Sequence, residues 1–152
     1  MKRKIIYTLG IIVCVGTLAF VYYAVSPLFR NVKMDEPLPE GKVVETEQTF
    51  SAQVIGTALH PASGMVRVVK IDGKNYIRYE NFKTINGPDI YVYLAKDLDA
   101  KDFVNLGKVK ATEGNINYEI PEGINVADYK YVLTWCKAFR VLFNYADFQA
   151  TQ

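Results

Sequence analysis

The chain carries few side chains that could perform redox or metal chemistry. Its 152 residues include two cysteines, one histidine and three methionines. Cys14 lies in an apolar N-terminal run, which leaves Cys136, His60 and Met65 as the candidate nucleophile and soft ligands of the predicted folded part. A lone thiol outside a reducing compartment is buried and inert, paired between chains, or chemically used. Cys136 is therefore the residue whose role needs an explanation.

These residues could hold only a few kinds of metal centre. A set of histidine, cysteine and methionine suits copper or haem iron, but a blue-copper site needs two histidines and the chain has one. Structural zinc needs four protein ligands, and covalent haem needs a C-x-x-C-H string that the sequence lacks. His60 precedes Pro61 and the Ser63-Gly64 turn, so a surface loop position is its simpler interpretation. For Cys136, a chemical role and burial as a small hydrophobe both stay open.

The first 30 residues predict where this chemistry takes place. Lys2-Arg3-Lys4 is followed by a run without charged side chains up to Phe29. As a helix, residues 5–25 would span about 30 Å, the thickness of a hydrocarbon core. A removed signal peptide is the alternative, but its apolar run is about 7–15 residues long. Pro27, which follows the best cleavage candidate, also disfavours cleavage, so the sequence predicts an uncleaved anchor.

Charge predicts the orientation and excludes one class of partner. The basic cluster at the N-terminus favours a cytoplasmic N-terminus, which puts the C-terminal domain outside the cytoplasmic membrane. Residues 34–152 carry 13 basic and 16 acidic side chains, so the net charge of +2 belongs to the anchor. A mildly acidic domain has no electrostatic footprint for nucleic acid. The expected partners are the membrane and an unidentified redox partner at the membrane or cell surface.

The chain divides into three predicted units. They are a cytoplasmic tip with a transmembrane anchor (1–30), a stalk linker with prolines, charges and little periodicity (31–48), and an extracytoplasmic β domain (49–152). Abundant aromatics and short alternating segments favour strands in the last unit. The predicted strands are 50–55, 64–71, 74–80, 90–95, 106–110, 115–120, 129–136 and 139–145. Seven or eight strands predict an all-β fold, an antiparallel β-sandwich or a partly closed barrel, after one N-terminal transmembrane helix.

Two strings mark the positions around the cysteine. Asn86-Gly87-Pro88-Asp89 is a turn, since Gly tolerates positive φ and Pro has no donor to lose at a strand start. Trp135 and Cys136 are neighbours on a strand and point to opposite faces. Lys137-Ala138 lacks the usual Gly or Asn, so a turn, a bulge or a sheet crossing can follow.

The ordered pattern of these strings resembles a known family. From Gly56 to Ala146 the chain is similar to the DM-thirteen domain, named for electron transfer, through N-G-P-D-x-Y-V-x-L at residues 86–94 and W-C-x-x-F at residues 135–139. The resemblance covers essentially the whole exterior domain. It implies an all-β extracytoplasmic domain whose single cysteine works in redox chemistry, as a bare thiol or as a ligand to a prosthetic group. On that reading the group is haem or copper, with Cys136, His60 and Met65 as candidate ligands.

The predicted function is therefore electron transfer or thiol redox at the outer membrane face, centred on Cys136. The alternative is a non-enzymatic binding or adhesion module whose cysteine is structural. Signatures of hydrolases, P-loop enzymes and dinucleotide-binding enzymes do not occur in the sequence. The enzyme class is left open.

Overall fold

A computed structural model describes residues 2–44 and 50–149. Helix α1 (Lys2–Val25) comes first and continues into a short 3₁₀ turn (Ser26–Phe29) that carries Pro27 in its first positions. The segment Arg3–Phe29 is long and apolar enough to cross a bilayer, and none of its most apolar stretch is buried by protein. Apolar side chains exposed all round a helix are typical of a membrane span.

In the part of the chain that the structure describes, ten strands follow and form one sheet. They are β1 (Lys33–Asp35), β2 (Val43–Val44), β3 (Ser51–Gly56), β4 (Ala62–Ile71), β5 (Lys74–Thr84), β6 (Ile90–Ala95), β7 (Phe103–Lys108), β8 (Glu113–Glu119), β9 (Tyr131–Cys136) and β10 (Val141–Asp147), with a 3₁₀ turn (Val126–Asp128) before β9. Their order across the sheet is β1-β8-β5-β4-β3-β10-β9-β6-β7, with β2 against the end of β4. Among the described pairings, only β1 with β8 is parallel.

The sheet curls into a half-barrel around an apolar interior. Val66, Ile77, Leu94 and Ile116 lie inside and are fully buried, although they come from four strands. Their strand neighbours point outward, as the two-residue period of a strand requires. The predicted all-β class with one N-terminal helix is confirmed, in its partly closed form. The strand count exceeds the predicted seven or eight because β1 and β2 are additional short strands.

Part of the predicted stalk, residues 31–48, belongs to the sheet. Strand β1 runs beside the start of β8, and the Glu36 N–H donates to the Asn115 carbonyl oxygen at 2.8 Å. The Glu36 carboxylate accepts from Asn117 N at 2.7 Å and pairs with Lys110 Nζ at 3.1 Å. Three paired residues give no readable alternation, which is why the sequence pattern shows only a linker. Residues 45–48 lie outside the described part, and the division into units stays a prediction.

The barrel has two ends with different connections. At the end where the chain arrives from α1, four loops join β3 to β4, β5 to β6, β7 to β8 and β9 to β10. We call this the proximal end. Asn86 Nδ2 donates to the Arg30 carbonyl oxygen at 3.0 Å, so the chain leaving the helix is tied directly to this end. The opposite, distal end carries the β4–β5 hairpin turn and the β6–β7 and β8–β9 loops.

Candidate functional site

Cys136 is the last residue of β9 and points into the barrel at the proximal end. Its side chain is 0 % exposed and packs with Ile90 and Phe143. The thiol donates to the Pro88 carbonyl oxygen, with Sγ and O 3.0 Å apart. Trp135 lies on the other face of the sheet, packed against an outer cluster that includes Leu133. The two neighbours thus occupy opposite faces, and the sulfur is on the inner one.

The Asn86-Gly87-Pro88-Asp89 turn covers the sulfur. Pro88 supplies the accepting carbonyl, and a Cβ at position 87 would lie 2.5 Å from Phe143 Cζ. Glycine at 87 is therefore needed for the close approach of the Phe143 ring, because no space exists there for a side chain. The turn thus shapes the apolar cover around the thiol.

Asp89 fixes the other side of this turn. Its backbone has φ 56, a left-handed conformation that Asp adopts more readily than most residues. The Asp89 carbonyl oxygen accepts from Lys137 N at 3.0 Å, which ties the turn to the residue after Cys136. The Asp89 carboxylate lies 3.3 Å from Lys108 Nζ, and this contact raises the pKa of Lys108.

Phe143 reaches the sulfur because β10 contains a bulge. Leu142 pairs with Trp135 and Asn144 pairs with Thr134, so Phe143 is an extra residue between two paired ones. A bulge of this kind re-aims a side chain, and here Phe143 turns inward onto Cys136. Phe143 is a residue of the site that the sequence pattern does not single out. Its signal is Val141-Leu142-Phe143, three successive apolar residues that break the alternation of a strand.

His60 lies on the far side of the same phenylalanine. Its imidazole stacks on the Phe143 ring with centroids 3.9 Å apart and planes inclined by 20°. His60 Nδ1 is in hydrogen-bonding contact with Thr57 Oγ1 at 2.9 Å. Burial lowers the pKa of His60 below 6.5, which favours the neutral ring. The proximal end therefore holds a column in which His60, Phe143 and Cys136 are in sequence.

The three predicted ligands do not converge on one point. Met65 is 38 % exposed, and its neighbour Val66 points into the barrel, so Met65 lies on the outer face while Cys136 lies inside. Phe143 stands between His60 and Cys136. Within residues 2–44 and 50–149, no three His, Cys, Asp or Glu side chains are placed to hold a metal ion. With Pro88 and Phe143 already against the sulfur, the residues do not fit a haem or copper centre.

A buried polar group lies deeper in the barrel. Asn144 is 0 % exposed, and its Nδ2 donates to Thr84 Oγ1 at 3.0 Å. This bond crosses the interior, since β5 and β10 are not neighbours in the sheet. Asn144 Oδ1 has no hydrogen-bond partner among the described residues. This buried polar pair, Asn144 and Thr84, lies beneath the apolar cluster around Cys136 and was not apparent from the sequence.

Comparison with known proteins gives one match. A family model described as electron transfer DM13 matches residues 53–148, well over half of the chain. The matched range includes Cys136, His60 and the whole turn at residues 86–89. No significant match to a curated protein or to a solved structure was found.

Proposed function

We propose a function from one premise: the chain belongs to the electron transfer DM13 family. In this proposal the protein is a membrane-anchored redox domain, with α1 as an uncleaved span and the β domain on the extracytoplasmic side. Its reactive group is the Cys136 thiol, which meets a redox partner at the membrane when the turn at residues 86–89 moves aside. His60 assists as a neutral neighbour and not as a metal ligand.

The observation that carries this proposal is the nature of the cover over the sulfur. Cys136 Sγ is closed off by a loop carbonyl, that of Pro88, and by the bulged Phe143. Loops with few ladder hydrogen bonds open at a lower free energy than the strands of a core. In this proposal the thiol is buried in the resting domain, and the turn at residues 86–89, which supplies part of its cover, opens before the strands do.

The chemistry open to a single thiol is exchange with a disulfide of the partner. On opening, the thiol gives its proton to water, and the thiolate attacks one sulfur of the partner's disulfide. A new S–S bond forms to Cys136, the partner's S–S bond breaks, and the leaving sulfur keeps the electron pair and takes up a proton. Cys136 is oxidised and the leaving thiol is reduced. The step reverses when that leaving thiol attacks the partner sulfur of the mixed disulfide, which re-forms the partner's S–S bond and releases Cys136, and the Cys136 sulfur takes up a proton.

Native disulfide exchange tests the proposal. The full chain with Cys14→Ser, held in lipid nanodiscs without denaturant, is mixed with an aromatic disulfide whose released thiol absorbs visible light. We expect one thiol released per chain, more slowly than from unfolded protein. The matched control is Val132→Cys with Cys136→Ser, because Val132 lies on the same strand and face, 1 % exposed, at the distal end. We expect no exchange there on the same timescale, and equal protection at the two positions would contradict the proposal.

A second candidate function rests on the burial itself. The 0 % exposure of Cys136 in an apolar cluster also suits a structural cysteine in a binding or adhesion module. In that case exchange at position 136 occurs only with global unfolding. An absorption spectrum of the purified full chain tests a third possibility, a bound prosthetic group. A haem or copper band would show that the chain holds a metal centre, and ligand chemistry would then take the place of thiol exchange in the account.

A further inference from the structure

The proximal end exposes apolar side chains beside two cations that form no ion pair with the described residues. Leu59, in the β3–β4 loop, is 81 % exposed, and Phe139, in the β9–β10 loop, is 42 % exposed. Lys137 and Arg140 flank Phe139 and are both exposed. Neither cation forms an ion pair with any residue that the structure describes. Lys137 Nζ lies over the Tyr91 ring, 5.5 Å from its centroid, a contact that leaves its charge uncompensated. An exposed aromatic between two cations without ion pairs is typical of a surface that meets anionic lipid.

The β9–β10 loop also contacts the helix. The rings of Phe20 and Phe139 meet edge to face, with centroids 6.2 Å apart and planes at 88°. Phe20 lies about 7–8 Å along the axis from the end of α1 at Val25, at 1.5 Å per residue. Phe139 is therefore at the depth of the last turns of α1 and not above the helix end.

The link between helix and barrel is short and hydrogen-bonded. The Arg30 carbonyl oxygen accepts from Asn86 Nδ2 at 3.0 Å. The Val32 carbonyl oxygen accepts from Thr112 N at 2.8 Å, and Val32 N donates to Thr112 Oγ1 at 3.0 Å. No free stalk separates the end of α1 from the proximal end, so the barrel cannot lie far from any bilayer that α1 spans.

We propose that the proximal end lies in the headgroup layer of that bilayer, as a second membrane contact besides α1. Phe139 reaches the acyl boundary, and Lys137 and Arg140 bind the anionic phosphates of the lipid headgroups. The inference rests on the proposed anchor. Apolar burial and electrostatic attraction to anionic lipid act together at such a contact, and each cation near the surface adds to it.

The contact between the proximal end and the lipid headgroups puts Cys136 close to the membrane surface. Residues 137–140 follow Cys136 directly, and Lys137 N donates to Asp89 in the turn that covers the sulfur. A loop held in lipid headgroups therefore holds one side of the cover. The partner that reaches Cys136 approaches along the membrane surface and not from bulk solvent.

Depth measurement with nitroxide labels tests the contact in the full chain. One cysteine is labelled at a time, with the others replaced by serine: native Cys14 for the anchor, Phe139→Cys for the loop and Phe103→Cys for the distal end. Phe103 is 39 % exposed, so the two phenylalanines are matched in type and exposure. The chain is placed in vesicles of phosphatidylcholine with anionic phosphatidylglycerol. The accessibility of each label to oxygen and to a water-soluble nickel chelate gives its depth.

The expected order is Cys14 deep in the hydrocarbon, residue 139 at the acyl boundary and residue 103 in water, with a severalfold difference in the oxygen-to-nickel ratio between 139 and 103. Equal ratios at 139 and 103, with Cys14 deep, would overturn the inference and leave the anchor intact. A water-exposed Cys14 would overturn both. Spin–spin broadening at 139 that does not depend on lipid charge would show a second copy of the chain on this surface and would also overturn it. None of these outcomes alters the exchange test on Cys136.

A label-free measurement guards against misfolding of the cysteine variants. Trp135 is the only tryptophan and precedes the loop on the outer face. In unlabelled chain, bromine at shallow positions of the lipid should quench its fluorescence more than bromine at deep positions. The pair Phe139→Glu and Arg140→Glu should reduce that quenching. Unchanged quenching in this double variant would contradict the inference.

Discussion

The two ends of the barrel are built from the same strands and carry opposite chemistry. At the distal end, the loop at residues 96–102 is closed by ion pairs, Lys96 with Asp102 and Lys101 with Asp99, each at 2.8 Å. Asp97 Oδ1 accepts from Asp99 N at 2.9 Å and from Lys101 N at 3.1 Å, so the loop satisfies its own backbone. Within the described residues, the polar side chains of this loop are therefore paired within the loop itself.

The proximal end differs in what it buries and in the apolar side chains that it exposes. It buries a thiol under a loop carbonyl and exposes Leu59 and Phe139 at its tips. Among the described residues, three ion pairs lie at this end, those of Lys108 with Asp89, Lys33 with Glu113 and Lys110 with Glu36. The difference teaches that one curled sheet holds two unlike sets of loops, one around the buried Cys136 and one closed by its own ion pairs.

Truncating the buried phenylalanine should give the largest effect. We expect Phe143→Ala to lower the free energy of unfolding by about 3–5 kcal/mol, because it leaves a cavity beside Cys136 and removes the ring under His60. Phe103→Ala at the distal end should cost far less, since Phe103 is 39 % exposed. Urea unfolding followed by Trp135 fluorescence measures both. Equal losses would contradict the view that packing at the proximal end is the tighter of the two.

The junction between helix and barrel can be tested with a pair of glycines. Gly114 and Gly107 have φ 116 and φ 112, which L residues rarely adopt, so alanine strains the backbone at both positions, by about 1–3 kcal/mol. A Cβ at Gly114 would lie 1.9 Å from the Met34 carbonyl oxygen, whereas nothing lies within 4 Å of one at Gly107. Gly114→Ala should therefore detach β1 and cost about 2 kcal/mol more, through lost backbone hydrogen bonds.

Urea titration of both alanine variants measures this difference. Proteolysis adds a second readout, because a detached β1 frees residues 31–37 for cleavage. Equal stability of the two variants would show that the proximal end does not depend on a fixed link to α1.

The two ends should also lose stability in different pH ranges. Burial lowers the pKa of His60 from 6.5, so the unfolded chain binds the proton more tightly and stability at the proximal end falls as pH drops below about 6.5. At the distal end, backbone hydrogen bonds from Lys101 and Asp99 lower the pKa of Asp97 from 3.8. The contribution of Asp97 to the free energy of unfolding is present above pH 3.8 and is lost only as pH falls below that value.

Amide hydrogen exchange resolved by segment, from pH 8 to pH 4, checks this order. The β3–β4 loop should open first as pH falls, and the loop at residues 96–102 should keep its protection. His60→Gln should remove the early change. This pH effect on stability should be smaller than the effects of the phenylalanine and glycine substitutions, because the side chains of His60 and Asp97 are partly or fully exposed to solvent.

Much of the scaffold was predictable from the sequence, and the details of the proximal end were not. Alternation and turn residues predicted the strand at residues 90–95 with the bounds that the structure gives. The opposite faces of Trp135 and Cys136 followed from the strand period alone. The bulge at Phe143 left only a break in the alternation of β10 as its signal. The docking of β1 could not be read, because it depends on non-local pairing and not on local periodicity. For the same reason, the separation of Met65 from Cys136 appears only when the faces of both strands are known.

The central claim is that the cover over Cys136 opens locally while the barrel stays folded. Its most direct test is the rate of disulfide exchange at Cys136 in the full chain with Cys14→Ser, measured at increasing urea below the unfolding transition. Local opening exposes little surface, so we predict a rate almost independent of urea, while exchange at Val132→Cys rises steeply with urea as global unfolding requires. The same steep dependence at both positions would contradict the account and leave Cys136 as a structural residue.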